Sequence, residues 1–154
     1  MSIGVRIKDN RQAVKAALEQ NKKAALDAAG TTVATAAKRK SPVKTGVLRS
    51  SIAWAHSGDE PQYPRGTQHT TNAAHPEGSK AVNNGVTGPK NAVIVGTNVK
   101  YARYQHEGIS PSGDLLNYSD ERAERKFLES AARENARKVI RKMRQGLRGE
   151  LARE

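Results

Sequence analysis

From about Asn10 to Lys40, small and apolar residues recur at three- and four-residue intervals: Val14, Ala17, Leu18, Ala24, Ala25, Ala28, Ala29, Val33, Ala36 and Ala37. That spacing predicts one long amphipathic helix, with Asp9 or Asn10 as its cap. Gly30, followed by two threonines, costs about 1 kcal/mol relative to Ala, so a kink or division is expected there. A face so rich in alanine lets another backbone approach closely but buries little area of its own.

Pro42 pushes the residue before it out of the helical region, so the helix must stop near Lys40 or Ser41. Thr45-Gly46 makes a second bend. Beyond it Leu48, Ser50, Ile52 and Trp54 alternate with Val47, Arg49, Ser51 and Ala53, which predicts a strand. Residues 57–90 are dominated by Gly, Pro, Asn, Thr and His, with Tyr63, Val82 and Val86 as the only sizeable apolar residues. They read as a long polar excursion or arm in which Asn84-Gly85 is placed to turn a small hairpin.

The segment NAVIVGT, Asn91 to Thr97, predicts a strand buried on both sides or in mid-sheet. Val99 to Gly108 predicts a short helix closed by Gly108, and Ile109 to Tyr118 a loop. A last helix is expected from Ser119 or Asp120, with Asp120, Glu121 and Glu124 in its first turn and bases toward its end, as the helix dipole favours. Ala132, Ala136, Val139, Ile140, Met143 and Leu147 form its apolar stripe. The pattern as a whole describes one α+β domain over 1–154: a long N-terminal helix, a small mainly antiparallel sheet with the 57–90 arm inserted, and a C-terminal helix packed on the sheet.

Composition thins the core. Only 36% of the residues are hydrophobic, much of that alanine, with one Phe, one Trp, four Tyr and two Met. Packing against further copies or a partner would supply the missing burial. The 27 basic residues against 15 acidic ones give a net charge of +12, which calls for an anionic partner: nucleic acid, an acidic protein surface or a membrane. Without cysteine there are no disulfides or thiolate metal sites. No apolar run is long enough to span a membrane, and the N-terminus has no signal-peptide core, so a soluble protein not exported by the usual route is expected.

Candidate chemistry is sparse. Arg137, Lys138, Arg141, Lys142, Arg144 and Arg148 lie opposite the apolar stripe with no acid among them. They suit phosphate or an acidic protein, and equally the solvated face of an ordinary helix. No aromatic residues are interleaved for base stacking. His56, His69, His75 and His106 fit no metal-ligand spacing, and neither a metal nor any other cofactor is expected. His106-Glu107 could serve acid–base work, but neighbouring residues diverge on any regular element and no nucleophile is spaced to join them. Gly85 to Asn91 lacks the spacing of a phosphate loop. No enzyme is expected.

Two segments carry a resemblance. Pro42, Thr45, Gly46, Leu48, Ser51 and Ile52 fit a P-x-x-T-G-x-L-x-x-S-I corner. Val95 and Gly96, then Tyr101, Ala102, Tyr104 and Gly108, fit a strand ending in V-G that runs into Y-A-x-Y-x-E-x-G. The order resembles that of the neck and tail-completion proteins of long-tailed bacteriophages, the head–tail joining or minor tail components. His106 occupies the place of that family's acid, with Glu107 after it. The segment Lys126 to Glu129 lacks the proline that commonly opens the family's last helix.

The resemblance implies a structural virion protein, made in the cytoplasm of a bacterial host. It would form a ring between portal or connector and tail tube, around the DNA exit channel. The ring is expected to be hexameric, with a dodecamer as the alternative. Partners would be its own copies, neighbouring connector and tail-tube proteins, and DNA passing without sequence-specific contact; no membrane is implied. A basic bore would hold DNA back, so the Arg137 to Arg148 face is expected to meet acidic protein or the outside. The rival reading is a small duplex-binding protein that uses the same face on phosphate. The expected core is Leu48, Ile52, Trp54, Val93, Val95 and Tyr101, with the arm and both helices as interface.

Overall fold

The computed structural model describes residues 11–43, 46–56, 91–97 and 99–148. The proposed cap at Asp9 or Asn10, Thr45, the 57–90 arm with His69, His75 and its Asn84-Gly85 turn, and the residues after Arg148 lie outside the described residues. Among the described residues the order is α1 (Arg11–Lys40), α2 (Val47–Ser51), β1 (Ala53–His56), β2 (Val93–Gly96), α3 (Ala102–Glu107) and α4 (Phe127–Arg148). The class is α+β, with a long N-terminal helix, a two-stranded antiparallel sheet and a C-terminal helix.

Helix α1 runs unbroken through Gly30, about 45 Å at 1.5 Å per residue. The division expected there from propensity does not occur, and Gly30 is where the sheet packs. A Cβ built there would lie 2.7 Å from Trp54 Cδ2 and 2.8 Å from Val93 Cγ2. Tertiary contact outweighs the intrinsic cost. Burial on α1 begins at Ala25, whereas Val14 and Leu18 are 64% and 57% exposed.

The sequence pattern placed a strand over Leu48 to Trp54. In its place stand the five-residue helix α2 and then β1. Val47, Leu48, Ser51 and Ile52 are all buried, and the spacing of Leu48 from Ser51 and Ile52 is that of one helical face. Strand β1 pairs with β2 in the register Ala53 to Gly96, Trp54 to Val95, Ala55 to Ile94 and His56 to Val93. β2 is half-buried throughout and, among the described residues, pairs with β1 alone. Helix α3 is closed by Gly108 in the left-handed conformation (φ 71°), whose N–H bonds the Tyr104 carbonyl at 2.8 Å. Residues 109–118 form the loop, pinned by an isolated bridge between Ile109 and Leu115.

Helix α4 starts at Phe127, later than the expected Ser119 or Asp120, because residues 119–126 are committed elsewhere. Asp120 accepts from Arg49, the Glu124 N–H bonds the Lys40 carbonyl, and Lys126, in the left-handed region (φ 53°), bonds the His106 carbonyl. α4 then lies back along α1; this helix pair, rather than a helix-on-sheet layer, is the main packing contact. The core gathers Ala34, Ala37, Val47, Leu48, Ile52, Trp54, Val99, Ala102, Phe127 and Ala131. Of the six expected core residues, Leu48, Ile52 and Trp54 are in it, and Val93, Val95 and Tyr101 pack half-buried at its edge.

Candidate functional site

The corner and the second segment are one structural unit. Ser41, fully buried, closes α1 through its N–H to the Ala37 carbonyl (2.9 Å) and its hydroxyl to the Lys38 carbonyl (3.0 Å). Pro42 then turns the chain away. Gly46, with φ 78°, opens α2 in a conformation that side chains disfavour. At the other end of α2 the buried Ser51 hydroxyl shares a 2.6 Å hydrogen bond with Thr97 Oγ1, and Thr97 Oγ1 accepts the Val99 N–H at 3.3 Å. This bond joins the two segments beside the Ala53–Gly96 pairing.

Two charged clamps fix the corner against the chain that enters α4. Arg49 Nη2 donates to the Ser41 carbonyl (2.9 Å) and to Asp120 (3.1 Å). Asp120 is held below the usual carboxylate range by the Arg122 backbone N–H and, secondarily, by Arg49. Lys40 Nζ meets both Glu124 oxygens at 2.9 Å, Ser130 at 3.0 Å and Glu134 at 2.6 Å. Its hydrogen bonds to Glu134 and Glu124 raise the lysine above its ordinary value and depress both carboxylates. Beside the Arg49–Asp120 clamp, Pro42, Val43, Leu48, Tyr101, Tyr118 and Asp120 help to line an open groove of about 620 Å³.

A third tie holds the sheet to α1. His56 Nε2 lies 2.6 Å from Asp27 Oδ1, one turn before Gly30, and its ring stands edge-on to Trp54. Sequence places Asp120 at a helix start, Lys40 at a helix end, Thr97 at a strand end and His56 among the histidines, but predicts none of these pairings. Each is a long-range pairing between ordinary polar residues, and no local spacing marks it.

The remaining candidates divide. Gly96 ends β2, Val95 sits opposite Trp54, Tyr101 caps α3, Ala102 is buried and Tyr104 is exposed. His106 lies 3.4 Å from Glu107, but its ring packs edge-on against Phe127 at 5.1 Å, a wall of the core rather than a reactive pair in a cleft. Arg137, Lys138, Arg141, Lys142 and Arg144 are all exposed on α4, and Arg148 ends the helix. Among the described residues no group of three or more His, Asp or Glu could hold a metal ion, and no helix is long and apolar enough to cross a membrane.

The corner and the Tyr-Ala segment both fall within a stretch, residues 6–108, that matches the profile of a family described as "Bacteriophage HK97-gp10, putative tail-component". The chain belongs to this family of bacteriophage tail components. The HK97-gp10-like match spans α1, the corner, both strands and α3, ending on the Gly108 cap, and leaves α4 outside it. Comparison with curated proteins and with solved structures returns no match. Membership makes the chain a structural phage protein whose place is the virion tail.

Proposed function

We propose that the protein is a ring component of the head–tail interface, a tail-completion or terminator subunit that joins the tail tube to the connector around the DNA exit channel. The observation that carries this reading is the family match across the clamped corner. In this role the corner sets a fixed angle between α1 and the sheet, and thereby the wedge shape of one subunit in a ring, hexameric on the sixfold symmetry of such tail tubes. The chain acts as a single domain over 1–154, and the 57–90 arm reaches neighbouring subunits. The chemistry is structural: the ionic clamps hold shape.

The test is genetic and microscopic. Particles made by the phage with this gene inactivated should accumulate as DNA-filled heads and separate tails, and the supplied protein should join them. Joined, infectious particles made without it would overturn the reading.

The exposed cations of α4 favour one second reading, a duplex-binding protein. Five of them make no ion pair with another described residue and are free to meet phosphate. That reading predicts tight binding by the isolated protein, falling steeply as salt rises.

A further inference from the structure

The chain is electrically and hydrophobically two-ended. From Glu107 to Glu134 it carries seven acids against four bases, whereas from Asn135 to Arg148 it carries six bases and no acid. Asp120, Glu124 and Glu134 are taken by Arg49 and Lys40, and Glu129 by Arg133, so the acids left to the surface are Glu107, Asp114 and Glu121. The acidic part gathers where α3, the following loop and the start of α4 meet, since the Lys126 N–H bonds the His106 carbonyl and the Tyr118 hydroxyl bonds the Gln105 carbonyl. Ile140 lies thirteen residues beyond Phe127, about 20 Å along the helix.

Each end also exposes apolar side chains. At the acidic end the Ile109–Leu115 bridge holds a tight knob that leaves Ile109 40% and Leu115 66% exposed, flanked by the exposed Glu107 and Asp114. The knob is preorganised: the Ser110 N–H bonds the Asp114 carbonyl at 2.7 Å, the Asp114 N–H bonds Ser110 Oγ at 3.1 Å, and Ser112 Oγ donates to the Asp114 carboxylate at 2.7 Å. At the basic end the line of α4 residues packed toward α1 drifts away from the helix's apolar stripe. Ala132 and Ala136 are exposed and Ile140 is 49% exposed, with Arg137 and Arg144 at helix-neighbour spacing from it and Arg141 next to it in the chain.

We propose that copies of this chain associate head to tail, the basic apolar patch around Ile140 of one copy docking on the acidic apolar knob of Ile109 and Leu115 of the next. This rests on the ring reading and deepens it by naming the two surfaces. A twofold contact of either patch with itself would face like charges across an apolar centre, which disfavours it. Opposite patches attract, and a repeated head-to-tail contact is the kind that closes into a ring. Duplex DNA would satisfy the arginines but would leave Ile140 and the knob without a partner.

The experiment uses the full chain and native mass. The first variant combines Arg137→Glu with Arg141→Glu; the second combines Glu107→Lys with Asp114→Lys. All four positions are exposed, and circular dichroism with thermal melts checks that both variants fold. The wild type should be a multi-copy oligomer, each variant alone a monomer, and their equimolar mixture an oligomer again, because the reversed patches of one attract those of the other. Variants that keep the wild-type mass, or a mixture that stays monomeric, overturn the inference while the ring reading stands. A monomeric wild type also overturns it, and the joining phenotype then judges the ring reading separately. A monomer that binds duplex and loses it with Arg137→Glu and Arg141→Glu assigns the patch to nucleic acid and counts against both.

Discussion

Gly30 and Trp54 touch face to face: the indole occupies the space where any larger residue at position 30 would put its Cβ, 2.7 Å from Trp54 Cδ2. The sheet is seated on α1 through this contact, with the His56–Asp27 pair beside it. The one residue of α1 that weakens the helix is therefore the one that admits the sheet.

Gly30→Ala should destabilise the protein. The added methyl gains about 1 kcal/mol in helix propensity, but overpacking against a rigid ring and Val93 costs about 1–3 kcal/mol. A lowered midpoint in thermal or urea unfolding checks this. A raised midpoint would mean that the sheet can move off the helix.

Arg49→Ala should destabilise the corner and Arg49→Lys should recover part of that loss, because both bonds leave the single nitrogen Nη2 and one ammonium can donate to the Ser41 carbonyl and to Asp120 alike. The loss should show as a lowered midpoint in thermal or urea unfolding. Asp120→Asn combined with Arg49→Ala in a double-mutant cycle should show non-additivity, and simple additivity would mean that the two side chains act independently.

Thr97→Val should cost about 1 kcal/mol, since it removes the hydroxyl that bonds Ser51 and accepts the Val99 N–H, while Ser51 keeps its bond to the Leu48 carbonyl. Thr97→Ser keeps the hydroxyl and should restore most of that loss. If Ser does no better than Val, the methyl group matters and the bond does not.

Stability should fall at both of two separate pH limits and rise between them. Glu124 and Glu134 are depressed in the folded state by Lys40, so their contribution is complete above the ordinary value of 4.5 and is lost as pH falls through their lower folded values. Lys40, raised by the same bonds, keeps its contribution below 10.5 and loses it above. Burial lowers Lys38 from 10.5 to about 8, so its charged form opposes folding below pH 8, and stability rises as pH climbs from 8 toward 10.5. Melting temperatures across pH should lose the acid-side fall in Lys40→Met and the alkaline rise in Lys38→Met.

What was legible in the sequence was local. The Gly108 cap, the short α3 helix, the stop at Ser41-Pro42 and the length of α1 each follow from neighbours along the chain. The failures came where distant groups decide. Residues 119–126 have the acids of a helix start, yet Asp120 is taken by Arg49 and the Glu124 backbone by Lys40, so the helix waits until Phe127. The Leu48 to Trp54 alternation is shared by a helical face that ends at Ile52 and a strand that begins at Ala53, and the period of two was read across both. The corner motif was visible, but the Ser51–Thr97 bond that makes it one unit with the second segment was not, since Thr97 has no spacing that marks it.

The exposed cations of α4 and the apolar residues beside them can serve assembly or nucleic acid, and the two uses differ in what the protein does alone. The most direct measurement is the native mass of the purified chain at near-physiological salt, with and without a short DNA duplex. A discrete ring-sized oligomer of unchanged mass when duplex is added is the predicted result, and its mass gives the copy number. A monomer that the duplex captures, with affinity collapsing as salt rises, would contradict the account.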